Sequence, residues 1–142
     1  MADFNLALKI ILADEGGYSN DPQDSGGETY KGISRKNFPD WEGWKYIDTA
    51  KNDTRIDTNG RFPETLNFID ILKSLVADFY RENFWNKIAG DNIQNNEIAD
   101  ELVHSAENAG ISQAIKRAQQ ICGQNPTGHI TPDLINALNS LL

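Results

Sequence analysis

Five glycines fall between positions 16 and 32, at Gly16, Gly17, Gly26, Gly27 and Gly32, interleaved with Asp21, Pro22, Asp24 and Ser25. A regular helix does not survive that density. Glycine loses the most backbone freedom on ordering, and proline lacks the amide hydrogen that a helix interior needs. The segment is therefore loop and turn material, able to form a short irregular hairpin and to let a ligand approach the backbone closely. Before it, Phe4, Leu8 and Ile11 recur at helical spacing, Asp3 stands where a cap belongs and Gly16-Gly17 stops the run. That pattern predicts a helix from Phe4 to Glu15.

Beyond the glycines the periodicity stays helical. Residues 35–64 carry Trp41, Trp44 and Tyr46 around Gly43 and then a polar run, read as a short helix and an exposed loop. From about Glu64 to Asn86, Leu66, Ile69, Leu72, Val76 and Phe79 or Tyr80 trace one face and predict a longer helix ending in Phe84-Trp85. Further helices are predicted from about Asn96 to Asn108, from about Ser112 to Cys122 across the Ala109-Gly110 break, and from Pro132 to Leu141 with Thr131 as cap. The expected fold is mainly α. At 142 residues the chain is long enough for one independent core and too short for a second full domain.

Charge narrows the partners. Twenty-one acidic against 13 basic residues give a formal charge of -8 with no Lys/Arg stripe, which disfavours nucleic acid and anionic membrane surfaces. A wall polymer would have to be bound through a shaped sugar groove rather than by bulk attraction. The single cysteine, Cys122, excludes an internal disulfide and is expected to fill core volume. No apolar run reaches membrane-spanning length, and residues 1–6 lack the basic start, apolar run and cleavage site of a signal peptide. Synthesis in the cytoplasm is the expectation, with another route to any substrate outside it.

The chemistry concentrates at the first helix end. Extending the stripe of Phe4, Leu8 and Ile11 by four residues lands on Glu15, which places a carboxylate on the core-facing side at the negative end of the helix dipole. Both circumstances disfavour ionisation of a carboxylate, and a carboxylic acid that keeps its proton is what a glycosidic leaving group requires. Asp21 and Asp24 lie on the loop that folds back beside this end. Either can stabilise positive charge at a sugar or activate water, and either can equally be a turn-forming aspartate beside Pro22 and Ser25. Glu97, Glu101, His104 and Asn108 share a stripe, expected to be a solvated helix face rather than a metal site. Trp41, Trp44 and Trp85 can stack on sugars or pack a core, and core packing is expected for Trp85.

The run Glu15-Gly16-Gly17-Tyr18 through Asp21-Pro22, Asp24, Gly26-Gly27-Glu28-Thr29-Tyr30 and Gly32-Ile33 resembles the signature of the glycoside hydrolase family 108 N-acetylmuramidases, found among phage endolysins and secretion-activator proteins. The resemblance implies a lysozyme-like fold with Glu15 as the catalytic acid. A likeness to phage-type lysozymes implies that Asp24 and Thr29 handle the attacking water, and that Tyr18 and Tyr30 line the groove. The family 108 resemblance continues through Phe79-Tyr80, Trp85, Ile88 and Gly90-Asp91, and through Asn108-Ala109-Gly110-Ile111 into a C-terminal portion resembling a peptidoglycan-binding segment. Asp21 and Asn108 join Tyr18 and Tyr30 as expected substrate-binding residues.

His104 and Glu107 stand where that portion usually has aspartate and valine, and its usual Asp-Gly and Gly-Pro-x-Thr are altered around Pro126–Leu134. The segment between Trp41 and Pro63 follows no pattern of the family, which makes it a place for substrate preference or partner binding.

The chain is thus expected to have a catalytic portion over 1–95 and a C-terminal helical portion over 96–142, packed as one domain. Its expected activity is hydrolysis of the β-1,4 bond between N-acetylmuramic acid and N-acetylglucosamine, without metal or cofactor. The alternatives are a non-catalytic peptidoglycan-binding or phage structural module, and a lytic transglycosylase. The expected partners are peptidoglycan glycan strands, reached without membrane insertion and after holin-dependent release or delivery by a secretion machine, with room for an immunity protein. A monomer is expected, since nothing marks a large exposed apolar face.

Overall fold

The computed structural model of the protein describes residues 1–23, 26–53 and 60–141. The fold is mainly α. Helices α1 (Phe4–Asp14), α2 (Gly43–Asn52), α3 (Asp70–Tyr80), α4 (Asn96–Ala109), α5 (Ile111–Ile121) and α6 (Pro132–Asn139) accompany strands β1 (Tyr18–Asn20), β2 (Glu28–Tyr30) and β3 (Ile33–Ser34). The strands form one antiparallel sheet in the order β1-β2-β3. Two compact units result, one from Met1–Ile11 with the chain from Phe79 onward, the other from Leu12–Asp78. No helix among the described residues is long and apolar enough to cross a membrane.

In the first unit Asp3 caps α1 as expected, its Oδ1 accepting the Asn5 amide at 2.9 Å. Phe4, Ala7 and Ile11 are buried, while Leu8 is only half-buried, so the inward stripe runs slightly off the predicted one. The Phe4 ring meets Trp85 edge-on at 5.6 Å, and the Arg81 guanidinium lies 5.0 Å from the Phe4 ring centre. Trp85 is fully buried, with its indole N–H donating to Asp91 Oδ1 at 2.9 Å. A Cβ on Gly90 would come within 2.3 Å of this ring, so the backbone passes where only glycine fits.

The single helix expected from Glu64 to Asn86 is instead four pieces. A 3-10 turn, Glu64–Phe68, ends at Ile69, whose φ of -95° and ψ of 99° are extended. Next comes α3, followed by a π turn at Arg81–Trp85 and a 3-10 turn at Asn86–Ile88. The apolar stripe runs across the break at Ile69 without losing phase, so sequence periodicity does not reveal it. The π turn has its own logic: Tyr80 and Trp85, five apart, are both buried, and the wider turn brings that spacing to one face.

Helices α4 and α5 meet at Gly110, whose φ of 94° caps both and which little but glycine adopts. Glu97, Glu101, His104 and Asn108 are all exposed, the solvated face expected of them. Thr131 caps α6 as predicted, its hydroxyl accepting the Leu134 amide at 3.1 Å. Cys122 ends α5 half-buried rather than filling the core, because the chain turns there into Gly123. One feature escaped the sequence: Gln119 is buried, and its amide donates to Thr127 Oγ1 (2.9 Å) and His129 O (3.1 Å) while accepting from Gly128 N (3.0 Å). A single side chain thereby satisfies the whole turn.

The second unit buries Tyr30, Ile33, Trp44, Ile47, Leu66, Leu72 and Val76. Trp41 lies edge-on to Trp44 at 5.3 Å, and a Cβ on Gly43 would stand 2.3 Å from its ring. Trp44 donates its indole N–H to Phe38 O at 2.8 Å. Both rings are part of the packing, and Trp44 and Trp85 are too buried to serve as sugar platforms. Gly90→Ala is expected to destabilise the protein by about 1–3 kcal/mol, the cost of forcing volume into a packed core. Urea unfolding followed by tryptophan fluorescence would measure it, with Gly16→Ala, where an added Cβ meets open space, as the mild reference.

Candidate active site

The glycine-rich segment folds into the hairpin that its composition allowed. β1 pairs with β2 in the register Tyr18↔Tyr30, Ser19↔Thr29 and Asn20↔Glu28. β2 turns into β3 through Lys31-Gly32 alone, both at positive φ (47° and 83°), as the tightest hairpin turn demands. The Lys31 amide also donates to Gly17 O at 3.0 Å, fastening the paired glycines to the far side of the ladder.

Glu15 stands one residue past the end of α1 and is half-buried, so it does not complete the inward stripe as the helical spacing implied. The helix has already stopped at Asp14, and the chain bends away toward β1. Asp21 is exposed, its Oδ1 accepting the Gln23 amide at 2.9 Å, which makes it a turn former beside Pro22. Asp24 lies outside the described residues.

Side chains along a strand alternate between faces, and paired residues share one. Tyr18, Tyr30, Asn20 and Glu28 therefore occupy one face of the sheet, and Ser19, Thr29 and Ser34 the other. Thr29 is half-buried in this row of three hydroxyls. Tyr30 is a correction: at 2% exposure it packs inside beside its partner Ile33, and burial pushes its phenol pKa up rather than leaving the ring to line an open groove. Asn108 is exposed on α4 in the other unit, its amide 3.0 Å from His104 Nε2.

The residue that sequence reasoning passed over is Glu28. Its side chain is 11% exposed and collects three donors: Tyr18 Oη at 2.6 Å, Lys51 Nζ at 2.5 Å and Arg35 Nη1 at 3.0 Å. Arg35 also forks onto Asp48 with both contacts at 2.8 Å, and its guanidinium lies 5.1 Å from the Trp44 ring centre. Lys51 sits 5.5 Å from the Tyr18 ring centre, and Phe62 meets that ring edge-on at 4.7 Å. Burial works against ionisation of Glu28, but the hydrogen bonds from Lys51, Tyr18 and Arg35 outweigh it and hold its pKa below the ordinary 4.5. Tyr18 moves upward, through burial and then through its bond to Glu28, so its hydroxyl is committed as a donor. Asp48 and Lys51 stand three apart on α2 and pair at 3.8 Å, but nothing local in the sequence links them to position 28.

A helix end, a carboxylate just beyond it and a small antiparallel hairpin whose second strand carries a threonine thus stand within one unit. The chain belongs to the Glycosyl hydrolase 108 family, whose model matches residues 8–110 and thus spans Glu15 and the entire hairpin. Among solved structures it is similar to SagA of Brucella abortus, with a TM-score of 0.64 and 27% identity over 98% of this chain and 70% of that one. No curated protein gives a significant sequence match.

Glu28→Gln should cost about 1–2 kcal/mol of stability at neutral pH, the loss of charge-assisted hydrogen bonds around a poorly exposed group. The folded state binds the Glu28 proton less readily than the unfolded one, so this contribution is full above pH 4.5 and fades as pH falls through the lower folded value. Chemical denaturation from pH 7 down to pH 3 should show the gap between wild type and variant closing in the acid range. A gap independent of pH would show that the carboxylate charge is not what stabilises the network.

Proposed function

We propose that the protein is an N-acetylmuramidase that hydrolyses the β-1,4 bond between N-acetylmuramic acid and N-acetylglucosamine in peptidoglycan, with Glu15 protonating the leaving oxygen. The observation that carries this reading is the position of Glu15: half-buried at the end of α1, inside the segment matched by the glycoside hydrolase family, and three residues before the strand paired to Thr29. Partial burial positions the carboxyl group while leaving it open to substrate, as a proton donor to a sugar oxygen requires. Thr29, fixed by the ladder between Ser19 and Ser34, offers a hydroxyl that can orient water, and Asp24 is the second carboxylate in this scheme.

The glycan strand takes the role of substrate, bound by shape and hydrogen bonding, because a protein of net charge -8 gains nothing from bulk attraction to an acidic wall. Purified peptidoglycan incubated with wild type should release fragments with reducing muramic acid ends, read by mass spectrometry. Glu15→Gln, which keeps the shape and removes the proton, should lower the rate by about 100- to 10,000-fold while leaving the melting temperature in place. Anhydro-muramic ends would reassign the chemistry to a lytic transglycosylase. Equal release by the variant would remove Glu15 from the mechanism.

A further inference from the structure

Two stretches of the described chain, residues 46–53 and 60–69, form a cleft. One wall is α2, presenting Tyr46, Thr49 and Asp53, and the other is the chain after Gly60, presenting Arg61, Phe62 and Thr65. The open volume is about 330 Å³, within the range of sites for small ligands. Phe62 ties this wall to the hairpin, since its ring meets Tyr18 at 4.7 Å. The cleft therefore adjoins the hairpin within the same unit.

Its charge is distinctive. Among the cations around α2 and the hairpin, Arg35 and Lys51 are engaged by Glu28 and Asp48, and Lys45, over the Tyr46 ring, by Glu42. Arg61 is exposed at the cleft and pairs with no acidic side chain among the described residues. A guanidinium is a planar fork matched to a carboxylate, and it is weakly hydrated enough to be used at a binding surface. Around it the cleft offers two aromatic rings for an apolar sugar or peptide face, and hydroxyl and carboxylate oxygens to accept from hydroxyls or amides.

We propose that this cleft is a specificity subsite in which Arg61 takes a carboxylate borne by the glycan strand while Tyr46 and Phe62 flank the framework that carries it. The inference rests on the muramidase reading for its substrate. Two sources share that chemistry: the lactyl carboxylate of muramic acid without peptide, and the carboxylates of an attached stem peptide, in which the lactyl group is tied up as an amide.

The test uses peptide-bearing strands and strands stripped of peptide by an amidase, with wild type, Arg61→Gln and Arg61→Lys, all checked for unchanged melting. Arg61→Gln should raise KM about ten-fold, the worth of one charge-assisted contact, with kcat unchanged, because the contact is the same in ground and transition states. Arg61→Lys should fall between, since an ammonium keeps the charge without the fork. An effect confined to stripped strands identifies the lactyl carboxylate, and one confined to peptide-bearing strands identifies the peptide. Unchanged KM on both overturns the subsite. Should wild type cleave neither substrate, the muramidase reading fails and the cleft is judged by calorimetric affinity for the same strands. A ten-fold loss in Arg61→Gln then keeps it, and equal affinity, or no binding by either protein, overturns it.

Discussion

A carboxylate with little access to water has to be matched by donors, and in the unit that holds the hairpin the rest of the arrangement follows from meeting that demand at Glu28. Its partners come from three places in the chain: Tyr18 on β1, Arg35 just past β3 and Lys51 near the end of α2. Arg35 then carries the connection to Asp48, so sheet and helix are joined by charge-assisted bonds rather than by apolar contact alone. Removing any one member leaves the others partly desolvated and short of a partner, which is why such a network fixes geometry more than it adds raw stability. The outcome is a hairpin held in one place relative to α2.

A second device appears independently in each unit. A tryptophan ring lies against a backbone segment that only glycine can form: Trp41 on Gly43 and Trp85 on Gly90. The indole N–H groups of Trp44 and Trp85 find acceptors at 2.8 and 2.9 Å, so large rings enter the interior without stranding a donor. Around Trp85 the backbone departs from the α-helix to do this, passing through a π turn and a left-handed Ala89 (φ 55°). Aromatic residues that might have served a carbohydrate surface are thereby committed to packing.

The sheet divides the functional groups between its faces. The Glu28 network occupies one, and Thr29 sits on the other between Ser19 and Ser34. Structural charge is in this way kept off the face that carries the hydroxyl proposed to orient water. Tyr18 marks the edge at which the network, the Glu15 turn and the Phe62 wall of the cleft come together. Hairpin and cleft are thus neighbours within Leu12–Asp78, the unit that also holds Glu15, so a recognition element there can act on the glycan that Glu15 is proposed to protonate.

Much of this was legible in the residues. The caps at Asp3 and Thr131, the stop at Gly16-Gly17, the break at Gly110 and the helical stripes are local signals, and local signals survive into the fold because each depends on neighbours a few positions away. The dense run from Glu15 to Ile33 likewise pointed to a glycoside hydrolase, since the residues that carry the resemblance are contiguous. Hidden were the break at Ile69, invisible because the stripe keeps its phase, the inward turn of Tyr30, decided by strand register, and Gln119, whose partners lie eight to ten residues on. The sequence by itself determined the helical class, the hairpin's glycines and the presence of Glu15 at a helix end. Only the tertiary structure decided that Glu28 would be the hub of the charge network and that Arg61 would open onto a cleft, because both depend on which side chains long-range packing brings within a few ångströms of each other.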